Sequence, residues 1–361
     1  MMGWGERFHI ELFGSSHGPE VGVTIDGIPA GTPIDPLRIQ RELDRRRPLG
    51  RRLATRRQEP DQLVIDSGLG EGRSDGGRFR AHVANVDVQR GAYDKARSVP
   101  RPGHADFPAR VRYGPAADLS GGGIFSGRMT VGLVIAGTIA RSLWERKGVE
   151  FVAFTRSIGT EDGPVPDEMD PAVLRSSSAR NEVGAVEPAV AGRMAQQIEA
   201  ARRAGDSIGG VIECRILGLP VGVGEPFFDS VESAIAHLAL SIPAVKGVEF
   251  GAGFAAARLR GSAHNDPFVV HEGHVSTSTN HAGGILGGLS VGTAVVFRVA
   301  VKPTSSIAKE QSSVDLTTMR PTTLKVAGRH DPCIVPRAVP VVEAAAAIAL
   351  ADLGLRGGFL P

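Results

Sequence analysis

Apolar and polar residues alternate along some stretches of this chain and recur at helical spacing along others, and their interleaving predicts an α/β protein. Val295, Phe297, Val299 and Val301 alternate with Ala294, Val296, Arg298 and Ala300, which predicts a strand over 293–301 with one face in a core. Strands are also predicted over 22–27, turning at Asp26 and Gly27, over 62–68 and over 210–216. Asp35 as N-cap and Pro36 in the first turn open a helix that runs to about Arg47, where Pro48 stops it. Leu37, Gln40, Leu43 and Arg47 fall along one side of that helix. From Met129 to Lys147 the apolar positions Val131, Val134, Ile135 and Ile139 are separated by small residues, which predicts a helix buried on most sides. Two more helices are predicted, over 187–203 and over the alanine-rich 339–353. The polar, proline-punctuated run 159–186 reads as a surface excursion.

A short echo organises these elements. Gly27-Ile28-Pro29-Ala30-Gly31 matches Gly218-Leu219-Pro220-Val221-Gly222. Each copy follows a strand and precedes an aspartate able to start a helix, Asp35 in one and Asp229 in the other. The pattern predicts an internal pseudo-duplication of a β-loop-α unit within one domain spanning 1–361.

Composition narrows the setting. The chain has 361 residues, 42% of them hydrophobic, enough for a large core. Its two cysteines, Cys214 and Cys333, are far apart and outside any C-x-x-C spacing, so neither a disulfide framework nor a zinc knuckle is expected. A reduced, cytoplasmic location fits. The N-terminal residues are charged and no run of about 18 apolar residues stands out, so neither a secretory signal nor a membrane span is expected.

A net charge of +2 gives no overall field for nucleic acid, and two tyrosines and two tryptophans offer few stacking platforms. The basic residues are unevenly spread. Lysines number only six, and eight arginines crowd between Arg41 and Arg57, a density that suits a receptor for anions better than an ordinary solvated face.

The candidate chemistry sits in loops. Arg101-Pro102-Gly103-His104-Ala105-Asp106 places an anion-binding fork, a titratable imidazole and a carboxylate on a turn bounded by proline and glycine. Gly121-Gly122-Gly123, followed by Ser126 and Arg128, leads into a helix start whose backbone N–H groups suit an anion. The pairs Gly283-Gly284 and Gly287-Gly288 let backbone come close to a flat ligand. Lys302-Pro303-Thr304-Ser305-Ser306 joins a cation to three hydroxyls, a set suited to phosphate oxygens. Gly328-Arg329-His330-Asp331-Pro332-Cys333 repeats the arginine, histidine and aspartate of the first loop.

Together with Gly14-Ser15-Ser16-His17-Gly18, Asp44-Arg45-Arg46-Arg47-Pro48 and Asn280-His281-Ala282, these pieces resemble the chorismate synthase family over nearly the whole chain. The resemblance implies a β-α-β sandwich and a lyase of the shikimate pathway of aromatic amino acid biosynthesis. Its reaction is the 1,4-elimination of phosphate from 5-enolpyruvylshikimate 3-phosphate to give chorismate. It further implies a flavoprotein using reduced FMN, with NADPH only an indirect source of reduced flavin, a homotetramer, and a separate flavin reductase as partner. It carries proton handling onto His17 and His104, and assistance at the flavin onto Asp331. It carries substrate anions onto Arg46, Arg52, Arg101, Arg128 and Arg329. Flavin contacts fall on Ser126, Ala244, Gly287, Lys302, Pro303, Thr304, Ser305, Ser306 and Arg329.

No metal is implied. The chain departs from the family pattern at Ile124, Phe125, Met129, Pro243 and Ser15, where charge or hydrogen-bonding capacity is lost. Those departures favour a second reading, an elimination on a related cyclic polyanion with altered or absent flavin use. A third reading, nucleic-acid binding through the arginine cluster, is opposed by the near-neutral charge.

Overall fold

The computed structural model describes residues 2–47, 53–54, 59–87, 98–114, 120–271, 273–326 and 330–361. In the first half come β1 (Gly3–Trp4), β2 (His9–Gly14), β3 (Glu20–Asp26), α1 (Pro36–Arg46) and β4 (Leu63–Ser67). A small hairpin, β5 (Leu69–Gly70) and β6 (Arg73–Ser74), leads to β7 (Phe79–Ala84), α2 (Asp106–Tyr113) and α3 (Thr130–Glu145). The second half runs through β8 (Glu150–Ile158), β9 (Glu161–Asp162), α4 (Pro171–Ser178), α5 (Pro188–Arg203), β10 (Gly210–Leu217), α6 (Val231–Ser241) and β11 (Val245–Phe250). After a single turn, α7 (Gly261–His264), it adds hairpins β12 (Phe268–His271) with β13 (His274–Thr277) and β14 (Ile285–Leu286) with β15 (Leu289–Ser290). It closes with β16 (Val295–Val301), hairpin β17 (Glu310–Asp315) with β18 (Arg320–Lys325), and α8 (Val335–Arg356).

Two five-stranded sheets result, ordered β1-β2-β3-β7-β4 and β9-β8-β10-β16-β11, with every neighbouring pair antiparallel. The order repeats element for element. β2, β3, α1, β4, β7 and α3 in the first half correspond to β8, β10, α6, β11, β16 and α8 in the second. The predicted echo occupies equivalent places, between β3 and α1 and between β10 and α6. Gly27 and Gly218 both take positive φ, +85° and +72°, at the strand exit, which an L side chain resists.

The helices form the middle layer. α3 packs on β3 and β7, α8 packs on β8 and β10, and the two helices pack on each other with α1 and α6 beside them. Alternation supplies the sheet faces that receive them: Phe79, Ala81 and Val83 of β7 are buried, as are Val295, Phe297, Val299 and Val301 of β16. α3 and α8 meet at Gly137, where a Cβ would lie 2.3 Å from the Cβ of Ala344. Only a residue without a side chain allows that approach.

Several expectations hold closely. Asp35 caps α1 by accepting from Leu37 N at 2.9 Å, and α3, α5 and β10 lie within two residues of their predicted limits. Others need correction. The buried stripe of α1 is Ile39, Leu43 and Arg46, while Leu37 is 71% exposed, because the helix turns its i, i+4, i+7 line toward α3. Helix α6 is capped by Ser230, whose Oγ accepts from Ser233 N at 3.0 Å, and Asp229 instead accepts from Arg356 at 3.0 Å. Helix α8 starts at Val335, four residues before its predicted start, with Pro336 in the first turn. With a mean hydropathy of 1.8, α8 is also long and apolar enough to cross a membrane, contrary to expectation; its apolar window is wholly buried, as befits a core helix.

Candidate active site

Four connections converge on one cleft of about 620 Å³: α1 to β4, β7 to α3, and their counterparts α6 to β11 and β16 to α8. The volume suits one or two small-molecule ligands. The first half contributes Arg46, Glu59, Asp61, Arg101, His104 and Arg128. From the second half, Leu240, Ile242, Pro243, Ala244, Ala338 and Val341 form an apolar wall. Lys246, Lys302, Thr304, Ser305, Ser306, His330, Asp331 and Arg337 edge that wall.

The loop before α2 builds a buried Arg101-His104-Asp106 group. Asp106 is buried and accepts from Arg101 Nε at 2.7 Å, from Arg101 Nη2 at 2.7 Å and from His104 Nδ1 at 2.6 Å. Burial pushes this carboxyl up, but the hydrogen bonds from Arg101 and His104 outweigh it and hold it well below the usual carboxylate range. With Nδ1 donating to Asp106, the other ring nitrogen of His104 is Nε2. That nitrogen lies against Gly122, whose Cβ would approach it to 3.3 Å.

His17 sits one layer deeper. It is 4% exposed and packs beneath Gly121, where a Cβ would come within 1.8 Å of its ring. Ser16 Oγ donates to the Ser120 carbonyl at 3.2 Å and lies 3.0 Å from His17 Nδ1, so it accepts the Nδ1 proton and fixes the tautomer. The glycines above it turn through φ of +60°, +103° and +52°, a path that requires Gly121, Gly122 and Gly123.

The predicted anion site at the start of α3 is differently built. Two 3₁₀ turns, Ser120–Phe125 and Gly127–Met129, precede α3, and Ser126 caps the second by accepting from Arg128 N at 3.2 Å. Arg128 turns its side chain toward Asn85, Ala84 and Asp61. Ion pairs also account for the described arginines of this region. Arg38, Arg41, Arg45, Arg46 and Arg47 pair with Glu145, Asp35, Glu343, Asp61 and Asp44 respectively, so acids distant in sequence balance several of them. Arg52 and Arg329 lie outside the described residues.

On the second wall, Lys302 Nζ donates to the Gly103 carbonyl at 3.1 Å, tying the two β-to-α connections together. Burial and the nearby Lys246 lower its pKa. Thr304 Oγ1 donates to the Asp331 carbonyl at 2.9 Å, and Ser306 Oγ accepts from Arg101 Nη1 at 3.2 Å. Ala244 takes φ of +76° and its carbonyl accepts from Lys302 N at 2.9 Å. The Asp331 carboxylate is paired with Arg337, which also donates to the Arg46 carbonyl at 3.1 Å. Burial lowers the pKa of His330.

Gly287 stands apart from this cleft: it forms the tip of the β14–β15 hairpin with φ of +63°, a position set by the turn. Sequence reasoning missed Glu59, Asp61, Lys246 and Arg337. A cation six residues past Asp331 was the only local hint.

The chorismate synthase family model matches residues 8–355. The chain belongs to the chorismate synthase family. Relatives named chorismate synthase include one from Dehalococcoides mccartyi, 47% identical over 99% of this chain and 97% of the relative. Another, from Korarchaeum cryptofilum, is 46% identical over 97% and 96% of the two chains. A crystal structure of chorismate synthase superimposes with a TM-score of 0.78 at 26% identity, covering 98% of this chain and 93% of the other. The sandwich described above is therefore the fold of the chorismate synthase family.

Proposed function

We propose that this protein is a carbon–oxygen lyase that removes phosphate from 5-enolpyruvylshikimate 3-phosphate by 1,4-elimination to give chorismate, with reduced FMN as cofactor. The observation that carries this reading is the joining, in one cleft, of the Arg101-His104-Asp106 group with an apolar wall edged by lysines and hydroxyls. The substrate has two carboxylates and a phosphate, and guanidinium forks bind such groups. Arg46, Arg101 and Arg128, with Arg52 and Arg329 from the resemblance, are the residues assigned to them. As phosphate leaves, these cations stabilise the charge that collects on it. His104 Nε2 exchanges a proton at the cleft wall, and His17, its tautomer set by Ser16, supplies the second imidazole. Asp331, oriented by Arg337, is the carboxylate that the resemblance assigns to assistance at the flavin.

The second wall fits a flavin mononucleotide. Leu240, Ile242, Pro243 and Ala244 offer an apolar surface for a flat ring, and Lys302 with Thr304, Ser305 and Ser306 offers donors for its phosphate. Ser126 lines the same cleft, with Pro303, Gly287 and Arg329 assigned by resemblance alone. Reduced flavin, when bound, supplies an electron-rich ring that relieves the electron deficiency left at the allylic carbon. Ile124 and Phe125 line the cleft and extend its apolar surface, so the departures from the family pattern exchange polar contacts for apolar area. NADPH would act only through flavin reduction, by a separate reductase. A homotetramer in the cytoplasm completes the reading.

Anaerobic incubation with reduced FMN and 5-enolpyruvylshikimate 3-phosphate should release phosphate and form chorismate in equal amounts. Tight FMN binding without phosphate release would overturn the reaction, and turnover without flavin would overturn the cofactor.

A further inference from the structure

One carboxylate holds two of the cleft arginines. Asp61 is 1% exposed, and its two oxygens serve different partners: Oδ2 accepts from Arg46 Nη1 at 3.2 Å and Oδ1 accepts from Arg128 Nη1. Arg46 arrives from the end of α1 and Arg128 from the turn before α3, so the carboxylate spans two elements. Other edges of each guanidinium are also fixed. Arg46 donates to Thr130 Oγ1 at 2.9 Å and to the Gly127 carbonyl at 2.9 Å. Arg128 donates to Asn85 Oδ1 at 2.8 Å and to the Ala84 carbonyl at 3.2 Å.

The backbone is bent to achieve this. Asp61 has φ of +46°, in the left-handed region. Gln40 secures the bend, donating from Nε2 to the Asp61 carbonyl at 3.1 Å and accepting from Leu63 N at 2.9 Å. A buried ion pair adds little to stability compared with apolar packing of the same volume. The chain accepts both the buried charge and the bend at a place where their result is the spacing of two cations that line the cleft.

We propose that Asp61 is a positioning residue for the elimination: its carboxylate fixes the separation and direction of the Arg46 and Arg128 guanidiniums that receive the substrate's anionic groups. The proposal rests on the reading that those arginines meet the substrate. Its physical consequence is a split. The carboxylate subtracts a unit of charge and so weakens ground-state attraction for any anion, while the alignment it imposes favours the transition state.

Asn and Gly both tolerate positive φ, so Asp61→Asn and Asp61→Gly remove the carboxylate without adding backbone strain. Inorganic phosphate binding by calorimetry, steady-state kinetics and melting temperature should be measured for both. We expect phosphate to bind about 3- to 10-fold tighter while kcat falls about 10- to 100-fold. In an Arg46→Lys, Arg128→Lys background, Asp61→Asn should cost less than about threefold further in kcat, because its effect runs through those two guanidiniums.

Wild-type kcat in a folded variant would overturn the proposal. So would phosphate binding and kcat falling together in step with melting temperature, the mark of a purely structural role. Should one variant fail to fold, the other decides. Absence of phosphate release by the wild-type protein would instead overturn the assigned reaction, and the phosphate titration, which needs no turnover, still judges Asp61: unchanged or weaker binding overturns its role.

Discussion

The connection from β7 to α3 and the connection from β16 to α8 leave equivalent strands, enter equivalent helices and face each other across the cleft, yet they differ in chemistry. The first is built on tightly paired charge: Arg101 with Asp106, His104 on the same carboxylate, Arg128 with Asp61. The second brings Lys302 and hydroxyls beside an apolar wall, with Arg337 and Asp331 as its buried-edge pair. The α-to-β connections differ likewise. The α1 end carries Arg46, Glu59 and Asp61, whereas the α6 end is the short apolar turn Ile242-Pro243-Ala244. One scaffold, used twice, carries paired charge on one side of the cleft and an apolar wall edged by cations and hydroxyls on the other, the division on which the proposed binding of a polyanion and a flat ring rests.

Four substitutions test that division. The largest effect is expected at Gly121→Ala, which sets a methyl group 1.8 Å from the His17 ring at φ of +60°. Overpacking and strain of this kind cost about 1–3 kcal/mol, and a displaced imidazole should leave little activity; thermal melts and a phosphate-release assay read both. Asp106→Asn comes next. It frees His104 from its fixed tautomer and Arg101 from its bidentate partner, so kcat should fall by about 10²- to 10⁴-fold with FMN affinity changed less than about threefold.

Lys302→Ala should do the reverse, weakening reduced FMN by about 10-fold or more, as loss of a charge-assisted hydrogen bond does. The KM for substrate should stay nearly constant; an equal loss in both would deny the two walls separate roles. The smallest effect concerns pH. Burial lowers the His330 pKa below its ordinary 6.5, so the unfolded chain binds the proton more readily and stability falls as pH drops through that value. His330→Gln should flatten this decline between pH 7 and 5.5, measured as the difference in melting temperature. Asp106 acts at lower pH with the same sign: its folded pKa is depressed, so its contribution is present above the ordinary carboxylate value of 3.8 and lost below it.

Much of the scaffold was legible before any coordinates. The caps and alternations of α1, α3, α5, β10 and β16 are local signals, and each element formed where its own residues favoured it. The five-residue echo marked a true repeat because a tight strand exit imposes the same glycine and proline wherever it recurs. Other features depend on distance. Asp61 meets Arg128 across 67 positions, and no spacing rule announces such a partner. The predicted start at Val339 lies beyond Pro336, yet Pro336 sits in the opening turn of α8 and Pro340 is carried inside it. The hairpin β12–β13 is exposed on both faces, and β17–β18 covers one face only partly and with mainly polar residues, so neither carries a clear apolar alternation in its sequence.

The contact between Gly137 and Ala344 bears on how the chain is made. The first sheet can be complete once β7 has been synthesised, but the side of α3 that packs against α8 stays bare while the second half emerges. Throughout that interval an apolar helix surface awaits its cover, and a nascent chain in this condition is open to wrong association. Close packing at one glycine thus makes the order of translation, and the help available during it, part of what decides the yield of active protein.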